Sequence, residues 1–369
     1  MWIGRKQIKS AAAILAVVLA LGAGCSRRPQ SALASAADYL WSHQSRDGGW
    51  PSHTYGLLRS GQSLTPFVLD ALLQVPADVY RIPSDKLERA IRFIRANTAK
   101  DGALGMMDPS LPDYPNYATA LAVSALSRAK RAGWEKDIRP MVAYLRRMQF
   151  SEQTGWKPAD APYGGWGMGG MEHPPPNPGH VDLSMTRYVL QALRAAGIPK
   201  DDPVFARATI FVQRCQNYDP EHPKDADGGF FFSTTEFDTN KAGQDGQRFR
   251  SYGTTTADGI LALFAVGMTL EDRRVRVAHN WLSSHHRDMA VPGFAGDARQ
   301  RWPQGLAFYY AAASTEAFRT AGDMMDPAIA NMLKRTQRRD GSWANSENLV
   351  KEDDPLIATA FAVRALVSQ

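Results

Sequence analysis

Polar and apolar positions along the chain sort into two kinds of segment that take turns. The first kind is apolar almost all round, as in "TPFVLDALL", where Thr65 is followed six and seven residues later by Ala71 and Leu72. The same spacing recurs at Thr119 with Ala125 and Leu126, Thr186 with Ala192 and Leu193, Thr256 with Ala262 and Leu263, and Thr359 with Ala365 and Leu366. The stretch "GLAFYYAAAS" supplies a degenerate further copy, with Gly305 in the threonine place and Ala311 and Ala312 after it. Such segments predict helices buried on most faces, in which the small alanine lets neighbouring helices approach.

The second kind precedes each of the first and is amphipathic: "ALASAADYLWSHQ", "KLERAIRFIRANT", "IRPMVAYLRRMQ", "PVFARATIFVQRCQ", "RRVRVAHNWLSSHH" and "PAIANMLKRTQ". Arg and Lys occupy one face and bulky apolar residues the other, which predicts helices half-exposed on the outside of the fold. They share a register. Tyr39-Leu40 leads to Gln44, Phe93-Ile94 to Thr98, Tyr144-Leu145 to Gln149, Phe211-Val212 to Gln216, Trp281-Leu282 to His286, and Met332-Leu333 to Gln337. A glycine and a large apolar residue then stop the helix: Gly49-Trp50, Gly105-Met106, Gly155-Trp156, Gly229-Phe230, Gly293-Phe294, and Gly341 with Trp343. Gln44, Trp50, Gln149, Trp156, Gln216, Gln337 and Trp343 are therefore expected to be structural, and His286 simply fills a glutamine slot.

Six outer and six inner helices in strict alternation give each inner helix cover on both flanks if they close into a double ring. The expected architecture is all-α, an (α/α)6 toroid occupying 33–369 as a single barrel; an open superhelix is the alternative. The glutamine and "DGGW" or "DGSW" stretches, set between such helices, resemble the repeats of squalene-hopene cyclases and protein prenyltransferase beta subunits. That resemblance covers roughly residues 31 to 369 and implies a terpenoid cyclase/prenyltransferase-like toroid with an apolar central cavity for isoprenoid chains. It implies little about chemistry.

Protein prenyltransferases hold zinc through an Asp, a Cys and a His, but Cys215 falls in an outer helix and Cys25 precedes the barrel, so no metal or other cofactor is expected. Class II terpene cyclases protonate an alkene with the middle Asp of an Asp-any-Asp-Asp motif. The nearest match is "KEDDPLIATA", with Glu352 in the first Asp's place, Asp353 and Asp354 as candidate acids, and Pro355 following. Acidic residues at a helix start are equally explained by its dipole, with Pro suited to the first turn. Cyclases of that type use two helical domains, so a partner would be needed to complete their chamber. The Cys-Gly-Glu-Gln stretch of complement-like thioester domains does not occur. No motif singles out the carboxylate pair of a sugar-cleaving toroid.

The loops from outer to inner helices emerge at one end, and those of the third and fourth units are far longer than the rest. Within the fourth, "GGFFFSTTEF" is expected to form a small hairpin. His180, Asp182, Tyr252, Asp258, Arg301 and Trp302 gather at this rim, joined by Asp353 and Asp354 and by Asp113, Tyr114 and Tyr117 of the second unit. This rim is the expected ligand mouth. His173, His180 and His222, with Asp182 or Asp225, match no zinc spacing.

Composition changes the picture only at the N-terminus. The 369 residues are 44% hydrophobic, 22% charged and 10% aromatic, an ordinary globular balance. The net charge of +6 includes Arg5, Lys6, Lys9, Arg27 and Arg28, and no basic stripe follows, so nucleic acid is not an expected partner. "RKQIK", then "AAAILAVVLALGAG", then Cys25 has the layout of a bacterial export signal over 1–24 with a short linker over 25–32. A lipoprotein signal, with Cys25 lipidated, is one reading, although Leu21 stands four before the cysteine and Gly22 three before; a plain cleaved signal or a retained anchor are the others. The expectation is an exported lipoprotein of the bacterial cell envelope, anchored to the membrane by its N-terminal lipid, whose toroid binds an elongated apolar, isoprenoid-like small molecule. The alternatives are a cyclase-like enzyme using Asp353 or Asp354 and a non-catalytic scaffold that binds a protein partner.

Overall fold

Every amphipathic segment and every apolar segment becomes a helix in the computed structural model, which describes residues 31–108, 112–222, 226–295, 300–323 and 327–367. In chain order these are α1 (Ala32–Ser42), α2 (Leu64–Leu72), α3 (Ser84–Asn97), α4 (Pro115–Ala129), α5 (Trp134–Arg147), α6 (Leu183–Ala195), α7 (Pro203–Arg214), α8 (Gly253–Ala265), α9 (Arg273–His285), the one-turn α10 (Trp302–Gly305), α11 (Ala307–Ala321), α12 (Pro327–Thr336) and α13 (Pro355–Val367). The segment 1–24, Cys25 and most of the linker lie outside the described residues. Ala32–Gln369 forms one compact unit, and no described helix is long and apolar enough to cross a membrane.

The inner set is α2, α4, α6, α8, α11 and α13. Each packs on the next, and α13 packs back on α2. The ring is therefore closed, an (α/α)6 toroid. Closure explains the composition of the inner helices: twelve of the thirteen residues of α8 are buried, because the lumen, two inner neighbours and the outer layer leave no face for water. The first outer helix, α1, packs on α13 as well as on α2.

The threonines that mark the inner helices have a common job. Each accepts a backbone N–H from a residue in the preceding loop: Trp50 to Thr65 (2.9 Å), Leu104 to Thr119 (2.9 Å), Trp166 to Thr186 (3.1 Å), Phe230 to Thr256 (3.1 Å) and Trp343 to Thr359 (3.0 Å). The glutamines work sideways. Gln44 Nε2 donates to Gly48 O and to Lys86 O of α3; Gln149 to Gly164 O and Val204 O of α7; Gln216 to Gly228 O and Arg274 O of α9. Gln337 donates to Gly341 O (2.9 Å) and to Ala32 O of α1 (2.8 Å), so the last unit is stitched to the first by the same bond that Gln44, Gln149 and Gln216 make at three other junctions; Thr98 and His286, in the same slot of the second and fifth units, bond Ile94 O and Tyr310 OH instead.

This pattern corrects the apolar stop in three units. In the third, the indole that donates to the outer helix is Trp166 (Nε1 to Leu145 O, 2.7 Å), as Trp50 and Trp343 donate to Leu40 O and Leu333 O. Trp156 instead donates to His173 O within the long loop. In the second the slot is Leu104 rather than Met106. In the fifth, Ala290 N–H bonds Asp288 as Gly49 N–H bonds Asp47 and Ser342 N–H bonds Asp340, which makes buried Val291 the counterpart rather than Phe294. Gly305 ends α10 and stands outside α11, so it does not occupy a threonine's place inside an inner helix. The anticipated hairpin at Gly228–Phe237 does not form. The antiparallel pair in that loop is β3 (Gln244–Asp245) with β4 (Arg248–Phe249), and in the third unit β1 (Trp166–Gly167) pairs with β2 (Val181–Asp182).

Candidate functional site

The N-terminal ends of the inner helices surround a cavity of about 320 Å³, within the usual range of roughly 300–1,000 Å³ for small-molecule sites. Its wall is a collar of aromatic rings, one from each of five inner helices. Tyr188 of α6 meets Tyr117 of α4 edge-on at 4.8 Å, Tyr117 meets Phe67 of α2 at 6.5 Å, Phe67 meets Phe361 of α13 at 4.8 Å, and Phe361 meets Tyr309 of α11 at 5.3 Å. The sixth helix, α8, contributes no ring at this level. It contributes Asp258, fully buried, whose Oδ2 accepts from Tyr309 OH (2.6 Å) and Ser184 Oγ (2.5 Å). Phe67, Tyr188 and Phe361 each stand two residues after a register threonine, and Asp258 stands two after Thr256. A carboxyl thus replaces a ring in the collar.

Burial pushes the Asp258 carboxyl up to about 6, against the opposing influence of Arg187 and its two hydroxyl donors. Arg187, itself buried, lies 3.8 Å from Asp258 and pairs with Glu316.

Above the collar the cavity turns cationic. Lys241 has its Nζ 3.7 Å from the centre of Phe232 and 5.5 Å from that of Trp302. Burial lowers its amine to about 8, partly countered by Asp182 and Asp258. Across the mouth, Lys351 Nζ reaches Tyr114 OH at 3.2 Å. Both of these residues hold left-handed backbone, φ 66° and 46°, a strained state for non-glycine residues that persists where surrounding structure enforces it. His180 is clamped between Asp182 (2.7 Å) and Glu236 (2.5 Å); burial opposes its charge, but the two carboxylates prevail and raise it to about 9. Asp182 also caps α6 by accepting from Met185 N.

Of the residues expected at the rim, His180, Asp182, Tyr252, Tyr114 and Tyr117 line this cavity, Asp258 sits beneath it, and Trp302 flanks Lys241. Others are placed elsewhere. Arg301 is exposed and pairs with Glu347 at 2.6 Å. Asp113 is buried under α2, where it accepts from Ser63 N and Oγ and from Ser60 Oγ, and burial raises its carboxyl. Asp353 accepts from Tyr55 OH. Asp354 accepts from Ser52 Oγ (2.5 Å) and from Leu356 N at the start of α13 (2.9 Å). Neither is in the cavity lining. Sequence reasoning missed Lys241, Lys351, Phe67, Tyr188, Tyr309 and Phe361. The offset of two from each threonine would have found Phe67, Tyr188 and Phe361; the lysines sit in loops that carry no periodic signal. Among the described residues no group of three or more His, Cys, Asp or Glu is arranged to hold a metal.

With the ring and its cavity in view, solved structures supply the comparison. The type II terpene cyclase MstE from Scytonema matches with a TM-score of 0.57 and 13% identity over 91% of this chain and 96% of that one. The chain carries the same fold. A substituted form of MstE holding geranylgeranyl dihydroxybenzoate, its substrate, matches at TM-score 0.54 and 13% identity over 91% of this chain and 95% of that one. A substituted glycosidase in complex with glucose matches at 0.54 and 13% over 94% of this chain and 99% of that one. No protein-family model and no curated protein sequence matches the chain. The terpenoid cyclase-like toroid is therefore shown as a fold, and it serves two unrelated chemistries among these neighbours.

Proposed function

We propose that the protein binds an elongated apolar small molecule of isoprenoid type in the mouth cavity, its hydrocarbon chain against the aromatic collar and an anionic end between Lys241 and Lys351. The observation that carries this reading is the division of the cavity. Rings from five of the six inner helices line the depth, and the cationic side chains of the lining, Lys241, Lys351 and His180, lie at the mouth, which is the polarity of an amphiphile. Desolvated aromatic faces suit alkenes. Delivery to such a ligand fits an exported, lipid-anchored protein of the bacterial envelope, which remains part of the proposal together with lipidation at Cys25.

A catalytic version rests on Asp258. Asp258 is fully buried and outside the cavity lining, so its proton would pass through the hydroxyl of Tyr309 or Ser184, which line the cavity and bond its Oδ2, to a ligand alkene, forming a C–H bond and a carbocation that the neighbouring rings stabilise. Loss of a proton from the product cation to the same carboxylate restores the acid. Asp353 and Asp354 are less suited to this role because the hydroxyls they accept from, on Tyr55 and Ser52, do not line the cavity, whereas Ser184 and Tyr309 do.

The test is organic extraction of the purified protein followed by mass spectrometry, with reloading by geranylgeranyl phosphate. Expected are a co-purifying polyprenoid and saturable reloading that Leu349→Trp, which fills the mouth, abolishes. A protein that extracts clean and takes up no polyprenyl probe refutes the binding reading. Asp258→Asn that binds but no longer converts the probe supports the catalytic version, whereas unchanged turnover overturns it.

A further inference from the structure

The opposite end of the barrel holds a second cavity, an open well of about 540 Å³ lined by residues of all six inner helices near their C-termini. Four of those helices carry an arginine in the last turn: Arg128 of α4, Arg194 of α6, Arg319 of α11 and Arg364 of α13. A basic residue at a helix C-terminus is favourable by itself. That effect does not require the four to line one axial well, and repulsion between like charges works against it.

The carboxylates of the well do not balance these charges. Asp70 is already engaged by Arg364 (2.6 Å), Arg128 (3.1 Å) and Gln74 (3.0 Å). Glu316 is engaged by Arg187 and, at 2.8 Å, by Gln191. Arg194 donates to the Ile198 carbonyl at 2.8 Å, and Arg319 is exposed with no ion pair to it among the described residues. Beneath the well, the Nε and Nη1 atoms of Arg187, 1% exposed, have no hydrogen-bond partner among the described residues. Donors and positive charge therefore exceed acceptors on this axis. The Asp70–Arg364 pair is nearly solvent-free, 4% and 9% exposed, which fixes one guanidinium in place before any ligand arrives.

We propose that this well is a binding site for a small polyanion of phosphate or polycarboxylate type, held by the guanidinium groups of Arg128, Arg194, Arg319 and Arg364. Planar guanidinium forks match the paired oxygens of phosphate and carboxylate groups, and several converging forks select for more than one negative charge. The site is independent of the mouth cavity. Tyr188 is the side chain common to both linings, and Arg187 lies in neither.

Calorimetric titration of the full chain with pyrophosphate and with citrate, at constant ionic strength, tests this. Saturable binding of at least one anion is expected; the stronger of the two identifies the phosphate or carboxylate source. Arg319→Gln alters an exposed side chain, so folding is retained, and it should weaken binding by about tenfold or more. Arg92→Gln on the outer helix α3 removes the same charge elsewhere and should leave binding unchanged. Absence of saturable binding to both anions at millimolar concentration overturns the proposal. So does equal weakening by Arg319→Gln and Arg92→Gln, or loss of anion binding in Leu349→Trp with Arg319→Gln unaffected, which would place the anion at Lys241 and Lys351.

Discussion

Replacing Thr359 with valine removes one acceptor from the middle of the sixth unit, together with a long 3.5 Å donation to Trp343 O. Trp343 N–H donates to Thr359 Oγ1 at 3.0 Å, and Trp343 and Thr359 are 1% and 0% exposed, so no water replaces the lost oxygen. A buried donor left without an acceptor costs about 1–3 kcal/mol. The added methyl group buries slightly more apolar surface, which offsets a fraction of that, leaving an expected loss of about 1–2 kcal/mol. Thr65→Val strands Trp50 N–H from a bond of 2.9 Å and should lose a similar amount from the far side of the sequence. Thr320→Val on the exposed end of α11 is the control and should stay within about 0.5 kcal/mol of the parent. Urea titration followed by tryptophan fluorescence reads all three. If Thr65→Val and Thr359→Val unfold at the parent's midpoint with unchanged slope, the threonine register is not what ties the loops to the inner ring.

Gly164 has φ +90°, and a Cβ there would lie 2.0 Å from the carbonyl oxygen of Arg207; Gly164→Ala should destabilise by more than 3 kcal/mol, or prevent soluble expression, whereas Gly133→Ala, with open space around it, should cost about 1 kcal/mol from its left-handed backbone alone. Stability should fall as pH rises from 5 to 8. Burial raises Glu352 to about 7, burial raises Asp258 to about 6, and the carboxylates around His180 raise it to about 9. Each of these groups binds its proton more tightly folded than unfolded, so the contribution is present below the unfolded pKa and lost as pH climbs through the folded one. Above pH 8 Lys241, lowered to about 8 by burial, works the other way. Thermal melts across this range check the slope, and His180→Gln should flatten its upper part; a melting temperature that rises steadily from pH 5 to 8 would contradict the assignment.

The ring was legible in the sequence because its determinants are local. A threonine and the Ala-Leu pair that follows lie on one helix, and a glutamine lies four after the last aliphatic residue of its own helix, so neither spacing can drift. The apolar stop was misread in three units because its partner is not local. The slot residue precedes its threonine by 15, 15, 20, 26 and 16 residues in the units where the bond forms, and in the third unit the long loop offers Gly155-Trp156 as a decoy ahead of Gly165-Trp166. Topology brought His180, Asp182, Tyr252, Tyr114 and Tyr117 of the expected rim to one cavity, but not all of that cavity's groups were visible. Lys241 meets Phe232 of its own loop and Trp302 of another unit, and Lys351 meets Tyr55 and Tyr114 of the first two units; no periodic spacing in the sequence marks either lysine. Asp258 stood in the expected rim list, yet its distinction, that it replaces a ring in the collar, emerges only when the six helices are compared at equal height.

The bond from Gln337 to Ala32 means that the order in which the units are synthesised is not encoded in the ring itself. Any inter-unit loop could serve as the start. A gene opened just before Ser84, with α13 joined to α1 by a short flexible linker, would place the same six neighbours side by side and keep all of the sideways glutamine bonds. The toroid is in that sense a necklace whose clasp repeats a link found at three of its other joints, which leaves the engineer free to choose where the chain begins.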